Sequence, residues 1–166
     1  MKKNFGNSKA VSFLNSFNDL VSLEDEKCNI AGRSKFNFSF FNTSQDNSGS
    51  VNDWDKKTIC DFFNKLVEYS KSSLDELCQV GIGKKRNGLL TFYQCFPKHS
   101  LFEHPKSIPH QAVWGRFRLD SDKRLIGFVV PQSFHGVPHK ASGIQYDKNT
   151  FYVVFIDNHH KFYPMS

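Results

Sequence analysis

Arg116, Arg118 and Arg124 lie close together in the run QAVWGRFRLDSDKRLIGFVV, and His159, His160, Lys161 and Tyr163 follow the apolar run TFYVVFID. A guanidinium group stays charged and presents paired donors that match two phosphate oxygens. An imidazole, with a reference pKa of ~6.5, gains and loses protons near neutral pH. Together these groups suit metal-free RNA cleavage. That reaction needs a base for the 2′-hydroxyl, an acid for the leaving 5′-oxygen and cations for the phosphorane-like transition state. On this reading His160 is the base or the acid, Tyr163 or Lys161 assists, and Arg116, Arg118 and Arg124 clamp the phosphate. His159 and His160 are neighbours, so a regular strand would turn only one toward the arginines; their position past the strand end relaxes this. The plainer reading is an exposed strand end, with the arginines in surface pairs to Asp120, Asp122 or Asp157 that contribute little stability.

For these groups to meet, their strands must lie in one sheet. The arginine run reads as a β-hairpin. A three-residue turn of Ser121, Asp122 and Lys123 between paired Asp120 and Arg124 puts Arg116, Arg118, Arg124, Ile126 and Phe128 on one face. Phe117, Leu119, Leu125, Gly127 and Val129 share the other, which should face the helices. A two-residue turn would mix the faces, because a one-residue slip moves a strand's whole side-chain set across the sheet. Thr150 to Asp157 forms a third strand and GLLTFYQCF another; KFNFSFFN alternates Phe36, Phe38 and Phe40 with Asn37 and Ser39 in a fifth.

Helical spacing appears in KAVSFLNSFNDLVSL, capped by Ser8, where Ala10, Val11, Leu14, Phe17 and Val21 make the apolar stripe. A second helix runs from a cap at Asn52 or Asp53 to about Ser70, with Ile59, Phe62, Phe63 and Leu66 inward and Tyr69 at the edge. Ser73 and Glu76 make a capping box for a short third helix with Leu74, Leu77 and Cys78 inward. Thr43 to Val51, Lys98 to His110 and Pro131 to Gly143 read as loops. The order predicts an α+β fold, a mainly antiparallel sheet of about five strands packed against two or three helices. One domain over 1–166 is expected, with an N-terminal helical extension at about 1–30.

Charge is unevenly divided. Met1 to Gly83 holds 10 Lys and Arg against 11 Asp and Glu, whereas Lys84 to Ser166 holds 12 against 5, a net of +7, and all 7 histidines. A basic, histidine-rich second part points to a polyanion, nucleic acid first. Lys84, Lys85 and Arg86 in a Gly-rich loop are expected to touch a nucleic-acid backbone, and Trp114, with Tyr93 and Phe117, to stack on bases if exposed. GIGKK is not a P-loop, and GxSxG and HExxH are absent. No HxxxH, HxH or HExxH helix organises the histidines, which lie in loops, so no metal and no cofactor is expected. The four cysteines lack a CxxC pair and are expected as buried free thiols in a reducing cytosol. The longest apolar run, FYVVFI, falls far short of the ~20 residues of a membrane helix, and no h-region follows the basic start. A cytoplasmic protein with no membrane partner is expected.

The pattern W-x-R-F-R … K-R-L-I-G-F … F-Y-V-V-F-I-D-x-x-H-K-F-Y resembles the RelE/HigB/YoeB-type toxins, small bacterial ribonucleases that cut messenger RNA, often on the ribosome. The resemblance is carried by Trp114 to Tyr163 and reaches back at most to Phe36. It puts Arg116, Arg118, Arg124, Leu125, His160, Lys161 and Tyr163 at the analogous places. It implies an endoribonuclease of a toxin–antitoxin pair, with RNA as substrate, ribosome-bound in many relatives, and an antitoxin as partner. The N-terminal helix and the loops Lys98 to His110 and Pro131 to Gly143 depart from that pattern. The alternative from another class is a non-catalytic module that binds nucleic acid or protein in a bacterial defence or mobile-element system.

Overall fold

The structure is a computed structural model that describes residues 8–17, 22–23, 25, 28–82 and 87–164. The chain divides into two units, Met1–Ala31 and Gly32–Ser166. In the first, helix α1 (Ser8–Phe17) occupies the front of the expected amphipathic segment. Its predicted continuation over 18–21 lies outside the described residues.

In chain order the second unit contains β1 (Lys35–Asn37), α2 (Lys56–Tyr69), α3 (Leu74–Gln79), the ribbon β2 (Gly81–Ile82) and β3 (Asn87–Gly88), then β4 (Leu90–Phe92), β5 (Val113–Arg118), β6 (Arg124–Val129) and β7 (Thr150–Asp157). The sheet order is β1-β7-β6-β5-β4, antiparallel throughout except for β1 beside β7. This is an α+β fold built on a mostly antiparallel five-stranded sheet. The Phe36 strand is shorter than its alternation suggested: pairing stops at Asn37, whose side-chain oxygen accepts from Ser39 N–H and turns the chain. None of the described helices is long and apolar enough to cross a membrane.

Helix α2 starts later than the sequence suggested. Asp55 is its cap, accepting from Thr58 N–H at 2.7 Å, while Asn52 and Asp53 fall in a preceding 3-10 turn. Its buried row is Phe62, Leu66 and Tyr69; Ile59 and Phe63 are exposed rather than inward. Tyr69 decides the rotation of the helix. Its ring stacks on Phe117 of β5 at 5.2 Å, and its hydroxyl donates to Arg118 O at 2.8 Å. Lys65 donates to the neighbouring Leu119 O, so α2 grips the end of the strand that carries Arg118. The capping box of α3 forms as its sequence predicts, Glu76 N–H donating to Ser73 Oγ and Ser73 N–H to the Glu76 carboxylate. All four cysteines are free thiols, but Cys60 and Cys95 are exposed rather than buried. Cys60 sits beside Ile59 on the outer side of α2, and strand pairing has ended before Cys95.

Burial pushes the Tyr69 phenol up to about 12 from an ordinary value near 10. Its neutral form is the folded one, so its contribution is complete below pH ~10 and is lost as pH rises toward ~12. Alkaline unfolding followed by circular dichroism should therefore weaken in Tyr69→Phe, a less stable variant at pH 7 whose stability falls less steeply between pH 10 and 12. An equally steep fall in the variant would remove Tyr69 as the cause.

Helices α2 and α3 cover one sheet face, where Phe117, Leu125, Phe151, Val153 and Ile156 form the first core with Phe62, Leu66, Leu74 and Leu77. The other face is not an ordinary solvent face. Trp114, Ile126, Phe128 and Phe155 are buried there beneath Phe102, Ile108 and Phe162, so the irregular loop after Lys98 roofs a second core. Gly127 sits at the β6–β7 bulge, where a Cβ would meet Tyr152 O at 2.2 Å. Only glycine allows that close approach.

The hairpin has the predicted faces in a different register. Arg118 pairs with Arg124, and Leu119 N–H donates to Lys123 O; Asp120 is not paired with Arg124. The Asp120 carboxylate instead accepts from the N–H groups of Asp122 and Lys123, which folds Asp120 into the turn. The slip is by two residues, so every side chain keeps its face.

Candidate anion-binding site

Where the second core ends, the same sheet face becomes polar. Arg116 and Arg118 of β5, Arg124 of β6 and Asp157 at the end of β7 line a cavity of about 580 Å³. His159, His160 and Tyr163 close it from the C-terminal turn, Tyr93 from the end of β4 and Ser121 from the hairpin turn.

The arginines are not equivalent. Arg124 is nearly buried, and it donates through Nη1 to the carbonyls of Asp120 and Lys123 and through Nη2 to that of Ser121. It therefore ties the hairpin turn closed, and only its buried Nε lacks a partner. Arg118 spends its Nε on Asp120 O at 3.1 Å. Arg116 donates through Nε to the Tyr93 hydroxyl at 2.6 Å and keeps a buried, unpartnered Nη1. Arg116 and Arg118 thus hold the donors that remain for a ligand.

Among the described residues none of the three guanidinium groups has a carboxylate within 4.0 Å, so the predicted pairs with Asp120, Asp122 or Asp157 do not form. Burial, followed by repulsion from Arg116 and Arg118, holds Arg124 below its usual range, with Asp120 and Asp157 acting weakly against this. A cavity whose cations repel one another favours an incoming anion.

Asp157 organises the proton-bearing side. It is 1 % exposed, and its carboxylate accepts three main-chain bonds, from His159 and Lys161 N–H at one oxygen and Phe162 N–H at the other. This turns the chain abruptly after β7. His160 sits at its apex with φ +57°, a left-handed conformation that histidine adopts more readily than most residues. The turn resolves the crowding expected on a regular strand, since His159 and His160 line the same cavity. The other described non-glycine residue with positive φ, Gln94 at +59°, adjoins Tyr93, which also lines the cavity. Backbone of this kind gathers at functional sites.

The chain matches no protein family, no curated protein and no solved structure.

Of the predicted site residues, Arg116, Arg118, Arg124, His160 and Tyr163 come together. Lys161 does not: its ammonium bonds to Asn47 Oδ1 at 3.0 Å, away from the cavity, because the turn points its neighbours inward. Trp114 is 1 % exposed beneath Phe96 and Phe162 and has no face to offer a base; Phe117 is likewise buried, in the first core. Leu125 belongs to the first core as well. Lys84, Lys85 and Arg86 lie outside the described residues. The sequence names Asp157 only as a surface partner of the arginines and Tyr93 only as a stacking aromatic; the structure adds the turn-holding role of the first and the cavity-side role of the second. Tyr93 is legible by period, since alternation with Thr91 puts it opposite Trp114 on the arginine face; Asp157 is not, because the bulge between Ile126 and Gly127 shifts the parity of β7 after Val153 and brings it opposite Arg124. No group of three His, Cys, Asp or Glu side chains that could hold a metal forms among the described residues. Among the described residues the one carboxylate lining the cavity, Asp157, is committed to main-chain N–H groups.

Proposed function

We propose that the protein is a cytoplasmic endoribonuclease that cuts RNA by acid–base chemistry without a metal. The observation that carries this reading is the convergence of unpaired guanidinium groups and two imidazoles on one cavity. Arg116 and Arg118 hold the non-bridging oxygens of a phosphodiester. One imidazole of the His159–His160 pair takes the proton of the 2′-hydroxyl as that oxygen bonds to phosphorus. The P–O5′ bond breaks, and the other imidazole, protonated, gives its proton to O5′. The products are a 2′,3′-cyclic phosphate and a 5′-hydroxyl end. This is the class of activity that the RelE-type resemblance implies.

His160→Ala should lower RNA cleavage by about 100-fold or more, the usual contribution of a proton-transfer group. RNA affinity should remain, because the clamp is intact. In a bacterium, growth arrest and transcript fragmentation on expression should disappear with the same variant.

One observation favours binding without cleavage: neither the His159 nor the His160 ring makes a hydrogen bond that fixes its orientation among the described residues. Under that reading RNA is bound with steep salt dependence, stays intact, and His160→Ala changes nothing.

A further inference from the structure

The rim of the cavity carries a feature that phosphate binding does not use. Tyr163 lies flat on Tyr93, with ring centroids 4.9 Å apart and planes 4° apart, yet Tyr163 is 53 % exposed. One of its faces is covered by Tyr93, so the exposed area belongs mainly to the other. The stack is firmly held. Arg116 donates to the Tyr93 hydroxyl, and the Tyr93 ring leans on Phe162, which is buried in the second core. The guanidinium that supports this pair also contributes to the phosphate clamp, so an open aromatic face and an anion site are fixed to each other.

A nucleotide is the ligand that presents a flat ring and a phosphate together. Resting on the endoribonuclease reading, we infer that the open face of Tyr163 is a stacking platform for an unpaired nucleobase, and that the substrate is single-stranded RNA. In a duplex both faces of each base are covered by its neighbours, so only a base that has left the stack can occupy the tyrosine. Every base has such a face, so the platform selects strandedness before sequence.

The test is fluorescence anisotropy with 2′-O-methyl RNA, which cannot be cut through its 2′-oxygen, against wild type, Tyr163→Ala, Tyr163→Trp and Arg118→Ala. An unpaired oligonucleotide, the same strand in a blunt duplex and an abasic strand of equal length are compared. Tyr163→Ala should bind the unpaired strand about tenfold more weakly than wild type, within the range for one stacked base, and Tyr163→Trp should restore it. The duplex and the abasic strand should bind wild type no better than the unpaired strand binds Tyr163→Ala. If Arg118→Ala abolishes binding while strandedness, bases and Tyr163→Ala make no difference, the platform is wrong and the phosphate site stands. If no strand binds wild type, both readings fall.

Discussion

Arg118→Ala should lower RNA cleavage by about 100-fold or more while leaving the fold as stable as before. The loss follows from removing one preorganised cation at the point where charge develops on the phosphorane, a change that typically costs 10²–10³ in rate. The unchanged stability follows from the same geometry. Among the described residues Arg118 has no carboxylate partner, and its charge, with that of Arg116, works against the buried guanidinium of Arg124. Deleting it relieves that repulsion and costs only the bond from Nε to Asp120 O. Added phosphate should raise the thermal midpoint of wild type and should do so less for the variant, because an anion that binds only the folded state stabilises it by linkage. Comparing midpoints with and without phosphate checks this. Equal gains in both proteins would mean that the cavity does not hold the anion.

Asp157→Asn should be damaging on both counts. The wild-type carboxylate accepts from His159, Lys161 and Phe162 with both oxygens inside a nearly closed environment. Asparagine keeps one acceptor oxygen and turns an NH₂ group toward a main-chain N–H, leaving buried donors unpaired. The expected cost is about 3 kcal/mol, the scale for an unpaired buried donor together with the loss of a charged acceptor. In a domain of this size that is roughly 10 °C in thermal midpoint. Cleavage should fall well below the midpoint too, since the turn that places both histidines depends on this carboxylate. A variant as stable as wild type, or a destabilised one that cleaves normally in the cold, would contradict the positioning role of Asp157.

The parts of this arrangement that follow a period are legible in the sequence. Alternation in β5 and β6 assigns Arg116, Arg118 and Arg124 to one face and Phe117 and Leu125 to the other, and that assignment survives a register slip of two because two is the period of a strand. Register itself is not legible, because it depends on whether the Asp120 side chain bonds within the turn or leaves its backbone to the ladder. Trp114 shares the arginine parity, which made it look like a surface aromatic. What covers it is a loop folded back from Lys98 to His110, and no local pattern announces that Phe102 and Ile108 will be buried there. Similarly, choosing His160 over Lys161 as a cavity residue needs the left-handed turn, which is set by a carboxylate reaching forward along the chain rather than by spacing.

The same limit applies to α2. Ile59, Phe62, Phe63 and Leu66 are equally apolar, and helical spacing alone cannot choose which pair faces in. Tyr69 chooses, because its ring meets Phe117 and its hydroxyl has a carbonyl to reach.

The most direct measurement is the chemistry of the ends left on RNA. A labelled single-stranded RNA is incubated with the protein in excess chelator, and the new ends are identified by mass spectrometry. The account predicts 2′,3′-cyclic phosphate and 5′-hydroxyl ends, formed in chelator, blocked by a 2′-O-methyl group at the cut and lost in Arg118→Ala and His160→Ala. Intact RNA, 3′-hydroxyl ends, or cleavage indifferent to both substitutions would contradict it.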